Sequence, residues 1–258
     1  MEILGYVGAL FIGLVLGLTG GGGSILTVPI LVYLMSINPV TATAYSLFIV
    51  GTTSTFGAIQ NYRKNLVDIK NGFIFAIPSF IAVYLTRKFI VPRIPEIIIE
   101  SPILITKNTF LMLFFAVIMI FGALSVLKKK SQNTNSEEKR NLFLIGIQTF
   151  TIGIIIGLVG AGGGFLIIPS LILFAKLPMK KAVGTSLFII AMNSLVGFIG
   201  DVQNLEIDWM FLLTFSAISV VGIFLGMYLT KYTNESQLKK IFAYFVLLMA
   251  AIILLKEI

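Results

Sequence analysis

Gly17-Leu-Thr-Gly-Gly-Gly-Gly-Ser-Ile-Leu-Thr-Val-Pro29 stands near the start of the chain, and Gly157-Leu-Val-Gly-Ala-Gly-Gly-Gly-Phe-Leu-Ile-Ile-Pro169 stands 140 residues after it. The same offset, with no gap, lays Ala42 on Ala182, Ser46-Leu-Phe-Ile49 on Ser186-Leu-Phe-Ile189, Ser54 on Ser194 and Gly57 on Gly197. Apolar runs resemble one another by chance, but aligned Gly, Pro and Ser at one constant offset rarely do, so the pattern reads as a duplicated unit. Each of the four successive glycines Gly20, Gly21, Gly22 and Gly23 destabilises a helix by about 1 kcal/mol relative to Ala. The matching run is Gly160, Gly162, Gly163 and Gly164. Such a motif predicts that each helix breaks there and exposes backbone N–H groups at the positive end of the helix that follows, a ready anion site. Close packing through small residues is the competing explanation, but packing asks for glycines four apart, not in a row.

Outward from these motifs the chain is apolar for roughly 15 to 20 residues at a time, enough for helices crossing a ~30 Å hydrocarbon core. Hydrophobic residues make up 57% of the 258 residues and charged residues 12%, where a soluble domain carries roughly a quarter charged. Lipid cannot satisfy free backbone groups, and the period-2 alternation of barrel strands is missing, so the spanning elements are expected to be helices. The expected segments run roughly 3–19, 24–36, 41–60, 71–91, 108–127, 142–158, 164–176, 182–200, 209–230 and 238–256. A polar stretch separates two halves, giving a first repeat over 1–127, a cytoplasmic linker over 128–141 and a second repeat over 142–258. The fold class predicted is an all-α polytopic membrane protein, with broken or re-entrant helices at the Gly-rich motifs.

Five segments per half is an odd number, so the second copy is expected to insert upside down. With the N-terminus outside, the inside loops hold 14 of the 19 Lys and Arg residues, as the positive-inside rule favours. The segments 24–36 and 164–176 are short for a crossing, so the first two segments of each half are read either as two spans or as a hairpin turning within the membrane; the parity is the same. Both termini are then expected outside a multi-pass protein of the cell membrane. The N-terminus lacks a basic region before its apolar run and reads as retained.

The chain has no Cys and no His, which excludes disulfides, thiolate nucleophiles, Ser-His chemistry and the usual zinc or haem ligands. The glycines lack the Lys-Ser/Thr ending of a nucleotide loop. The net charge of +8 sits in loops, a topology signal and not a nucleic-acid surface. Candidate substrate contacts are the eight glycines of the two motifs together with Ser24, Ser46, Ser186 and Asn193, neutral donors that replace water around a small oxyanion without a buried charge. Asp201 is the best candidate for a titrating carboxylate near a pathway, though its place beside an acidic loop favours a solvated acid. Arg87, Lys88 and Arg93 read as an outer basic vestibule or, more simply, as snorkelling anchors. No cofactor is implied. The partners expected are a small anion and the bilayer, with room for a coupling ion (proton or sodium) and a homo-oligomer.

The doubled Gly-rich motif, Pro29 and Pro169, and the paired Ala-x3-Ser-Leu-Phe-Ile stretches closely resemble the TauE/SafE family of membrane permeases, the sulfite exporters. The resemblance covers nearly the whole chain. It implies transport of small sulfur-containing anions or organic acids such as sulfite, thiosulfate, sulfonates or sulfoacetate. A secondary transporter is thus expected; an anion channel shares the chemistry, and an intramembrane enzyme lacks a nucleophile with its base.

Overall fold

The computed structural model describes residues 2–99, 105–127, 142–230, 232 and 235–257; the proposed linker 128–141 lies outside them. The described chain is helical: α1 (Glu2–Thr19), α2 (Ser24–Pro29), α3 (Pro39–Arg63), α4 (Ile69–Leu85), α5 (Val91–Arg93), α6 (Lys107–Leu127), α7 (Leu142–Val159), α8 (Gly164–Phe174), α9 (Met179–Asp201), α10 (Trp209–Leu229) and α11 (Glu235–Glu257). Two π-helical turns, Ile30–Leu34 and Thr86–Ile90, extend α2 and α4. The helical expectation has one exception, a short antiparallel pair of strands, β1 (Ile97–Ile99) and β2 (Ile105–Thr106), in the connection before α6.

Local chemistry sets the helix starts. Asn38 caps α3 by accepting from the Val40 N–H, with Pro39 at the first helical position, where its missing N–H costs nothing. Asp68 caps α4 through the Asn71 N–H, and Asp208 caps α10 through the Phe211 N–H. The N–H of Asp68 is itself bonded to Thr185 Oγ1, and that of Asp208 to Tyr45 Oη.

Helices α4–α5, α6, α9 and α10 are long and apolar enough to cross a membrane. Although 25 residues long, α3 is rich in Thr and Ser, and 14 of its residues are buried against neighbouring helices. Small polar side chains are buried within an otherwise apolar interior, and large apolar side chains cover the outside. Thr53, Ser54, Ser186, Asn193 and Ser219 are buried, while Phe11, Ile77, Phe121 and Leu124 are exposed. This is the arrangement that lipid favours for a helix bundle.

Glycines four apart bring helices together. Gly13 and Gly17 on α1 lie against the backbone of Ser219, Ile223 and Gly226 on α10, and Gly153 and Gly157 on α7 lie against Ser79 and Thr86 at α4. The further large pairings are α3 with α9 and α6 with α11. Gly5 sits on Met35 and Gly8 on Ile30, so α1 and the α2 segment form an antiparallel hairpin whose turn is buried. Helices α3 and α9 also run antiparallel. The start of α3 and the end of α9 line one cavity, and Gly184 near the start of α9 touches Leu66 beyond the end of α3.

Candidate functional site

The first Gly-rich turn closes on itself. Gly20 takes a left-handed φ of +75°, which an L side chain rarely adopts. The Gly22 N–H bonds Thr19 Oγ1 at 2.9 Å, and the N–H groups of Ser24, Ile25 and Leu26 bond the carbonyls of Gly21, Gly22 and Gly23. The motif predicts free N–H groups here; these four are already engaged. The second turn is wound differently. Gly160, Gly162 and Gly163 all have positive φ, and the Gly163 carbonyl accepts from Leu166 and Ile167 at the start of α8.

The two turns meet. A methyl on Gly21 would come within 2.6 Å of Gly164 Cα, so the absence of side chains lets the two backbones touch. Ser186 Oγ on α9 donates to the Gly20 carbonyl, and Gly162 lies beside Val50, Ile190 and Ser194 Oγ. That Ser194 hydroxyl and the buried hydroxyls of Ser46 and Ser54 on α3 have no hydrogen-bond partner. Asn193 Oδ1 accepts from Ser79 Oγ at 2.9 Å, leaving its Nδ2 unpartnered. Thr53 Oγ1 on α3 donates to Ser219 Oγ on α10 at 3.0 Å. Of the expected site residues, Gly20, Gly21, Gly162, Gly164 and Ser186 therefore come together between α3 and α9, with Ser46 and Asn193 carried on those two helices. Three others turn back on their own hairpins: Gly23 packs on Ile12 and Leu16, Gly163 on Ile156, and the Ser24 hydroxyl bonds the Gly21 carbonyl. The glycines, Ser24, Ser46, Ser186 and Asn193 are all buried, so this conformation is closed around them.

Two residues read as surface groups prove to be interior ones. Arg87 is 0% exposed, and Asp201 is 4% exposed, not a solvated loop acid. Arg87 lies in the π-helical turn Thr86–Ile90, which ends two residues before Pro92, and is buried there. Arg87 Nη1 lies 3.3 Å from Asp201 Oδ2 but donates its hydrogen bond to Thr43 Oγ1 at 3.0 Å. Nε and Nη2 have no partner, and Nη2 faces the second turn, where a methyl on Gly160 would come within 2.6 Å of it. Lys88 and Arg93 are engaged elsewhere. Lys88 Nζ bonds Tyr84 Oη at 3.1 Å, and Arg93 lies over the Phe89 ring. Beyond the ion pair a cavity of about 370 Å³ opens, lined by Asn38, Thr41, Glu96, Lys107, Asp201 and Asn204 among others. The sequence signal for this site was Asp201 standing where the other half has Asn61, a polar residue at the end of both helices.

Residues 6–253 match the family described as "Sulfite exporter TauE/SafE". The chain belongs to that family. Among relatives, a "Probable membrane transporter protein" of Xylella fastidiosa (strain 9a5c) is 26% identical over 93% of this chain and 89% of its own length. The "Probable membrane transporter protein YunE" of Bacillus subtilis (strain 168) is 28% identical over 79% of each chain. The "Probable membrane transporter protein MJ0441" of Methanocaldococcus jannaschii is 34% identical over 40% of this chain and 41% of its own. No solved structure matches. A TauE/SafE protein is a multi-pass membrane transporter, not an enzyme, and the helical, lipid-facing surface described above fits that membership.

Proposed function

We propose that this TauE/SafE protein is a secondary transporter of small sulfur-containing anions or organic acids, with sulfite, thiosulfate, sulfonates and sulfoacetate as the substrate class. The anion sits where the two Gly-rich turns meet, and alternating access moves two inverted-topology halves, 1–127 and 142–258, about that point. The observation that carries the reading is the contact of Gly21 with Gly164, with the unpartnered Ser194 hydroxyl against Gly162 and two further unpartnered hydroxyls, Ser46 and Ser54, on α3. Neutral donors suit a desolvated oxyanion, and a buried donor without a partner is costly unless something bonds it.

The pairing of helices supports inversion. Helix α1 packs on α10 as α7 packs on α4, an exchange of equivalent elements, and the equivalent helices α3 and α9 are antiparallel. Single bonds repeat it at the 140-residue offset: Thr53 with Ser219 against Ser79 with Asn193, and the Asp68 and Asp208 caps. The distribution of Lys and Arg supports an orientation with both termini and the loop 201–208 outside.

Thermal melting of the purified protein against sulfite, thiosulfate, a sulfonate, sodium and an amine tests the substrate class. Stabilisation is expected from the anions. Gly21→Ala forces the turns apart and is expected to weaken anion binding by about tenfold or more, the 1.4 kcal/mol step of affinity, in protein that still inserts. Stabilisation by sodium or the amine alone would sink the proposal.

A further inference from the structure

A fully buried guanidinium is ordinarily matched by a carboxylate holding it with two aligned hydrogen bonds. Arg87 is not held that way. Its Nη1 proton goes to Thr43 Oγ1, whose own hydroxyl donates to the Val40 carbonyl, and Asp201 Oδ2 stands 3.3 Å away without accepting a hydrogen bond. Nε and Nη2 are left with no partner in the interior. Those two N–H-bearing atoms form one edge of a planar fork, whose geometry matches two oxygens of a carboxylate, sulfonate or sulfite. One end of that edge faces Gly160 in the second Gly-rich turn.

The opposite half argues against a purely structural pair. At the 140-residue offset Asp201 becomes Asn61 and Arg87 becomes Met227, and Asn61 Nδ2 lies 3.5 Å from Met227 Sδ. The same junction of helices is therefore built there without any charge. A buried ion pair is weak support for stability, since apolar or neutral partners serve as well. What the charged version adds is an anion receptor at one end of the bundle, and Asp201 forms part of the wall between that receptor and the cavity of about 370 Å³.

We propose that Arg87 recognises the charge of the transported anion, and that the Asp201 carboxylate is its stand-in, resting against the guanidinium until an anion entering from the cavity replaces it. The inference rests on the transport of small anions argued above and names the residue that reads them. Displacement swings Asp201 towards the cavity side, where Lys107 is among the lining residues. The incoming oxyanion takes over from Asp201 the neutralisation of the guanidinium and bonds its free Nε and Nη2 edge beside Gly160. Thr43 keeps Nη1 in place throughout, so the fork is already oriented when the anion arrives.

The test compares the full-length protein with Asp201→Asn and with the Arg87→Met, Asp201→Asn double variant, which copies the neutral pair of the other half. Sulfite and thiosulfate are titrated into each in detergent, with chloride as a weak comparator, and both binding and thermal melting are read. Asp201→Asn is expected to melt lower alone, to recover with sulfite or thiosulfate by more than the wild type gains, and to bind about tenfold tighter or more, since its competitor is gone. The double variant is expected to insert and melt near the wild type but to lose affinity by about thirtyfold or more, the cost of removing one member of a buried charge contact. Wild-type affinity in the folded double variant would overturn the role of Arg87 while leaving transport at the glycine turns standing. Unchanged affinity in Asp201→Asn, with no recovery by the anions, would overturn displacement. A wild-type protein that binds neither anion would sink this inference together with the substrate class. Should Asp201→Asn fail to fold even with anion present, displacement is likewise overturned, because a substrate that replaces the carboxylate must restore the missing charge.

Discussion

Ser186 shares its hydroxyl proton between the carbonyls of Gly20 and Val183, whereas Ser46, in the equivalent place, has no partner for its own. The repeated Ser-Leu-Phe-Ile stretch pairs the two serines, yet their physics differs. Ser186 fastens α9 to the first Gly-rich turn, and Ser46 is a buried donor awaiting one. Ser186→Ala is therefore expected to lower stability by about 0.5–1.5 kcal/mol, the net value of a typical hydrogen bond. Ser46→Ala removes an unsatisfied group and is expected to leave the melting temperature unchanged or raised, while weakening anion binding. Equal stability losses in the two variants, read by thermal melting, would refute that division. At this scale the sequence was informative about residue types and silent about orientation. The Gly and Ser positions were legible because the same motif stands twice in the sequence, 140 residues apart. Arg87 was not, because Arg87-Lys88 at the end of an apolar run has the composition of an interfacial anchor, and both residues lie in a π-helical turn whose facing an ordinary helical period does not give. Pro92 soon after was the available hint.

Among elements, the boundaries were legible to within about three residues, the usual uncertainty of helix ends. The apolar runs end where Asn38-Pro39, Asp68 and Asp208 cap the next helix, and the expected 41–60, 182–200 and 209–230 became Pro39–Arg63, Met179–Asp201 and Trp209–Leu229. The β1–β2 pair was missed, although Ile97-Ile98-Ile99 is a run of β-branched residues suited to a strand. Glycine itself proves to have two separate uses. At Gly20 and Gly160 it supplies positive φ in a turn, and at Gly13, Gly17, Gly153 and Gly157 it lets two helices touch at a spacing of four. Gly17→Ala would push a methyl against the backbone of Ile223, Gly226 and Met227, none of which can rotate away. Overpacking of this kind costs about 1–3 kcal/mol. Gly146 on α7 has nothing within 4 Å of an added methyl, so Gly146→Ala is expected to be neutral or stabilising by up to about 1 kcal/mol. Denaturation of the two purified variants checks the contrast; similar losses would mean that the α1–α10 contact does not depend on close backbone approach.

Across the whole molecule, the proposed inversion makes a demand that local packing cannot imitate. Lys64 and Asn204 are equivalent residues at the 140-residue offset, each just beyond the end of its helix, α3 and α9, and both are exposed. Because α3 and α9 are antiparallel, these two positions lie at opposite ends of the bundle. The chain has no cysteine, so single substitutions Lys64→Cys and Asn204→Cys each carry one thiol in an otherwise unreactive background. The basic loop containing Arg63, Lys64 and Lys70 is expected inside, and the acidic loop of Asp201, Glu206 and Asp208 outside. A membrane-impermeant maleimide should then label Asn204→Cys in intact cells, and Lys64→Cys only after the membrane is opened. The mirror-image result would keep the inverted halves and reverse the charge-based orientation, placing the cavity beside Arg87 on the cytoplasmic face. Labelling of both from one side is the outcome that ends the model of two inverted halves, since equivalent residues of inverted repeats cannot share a face. The measurement also fixes from which side of the membrane an anion reaches Arg87, because Asn204 lines the same cavity as Asp201.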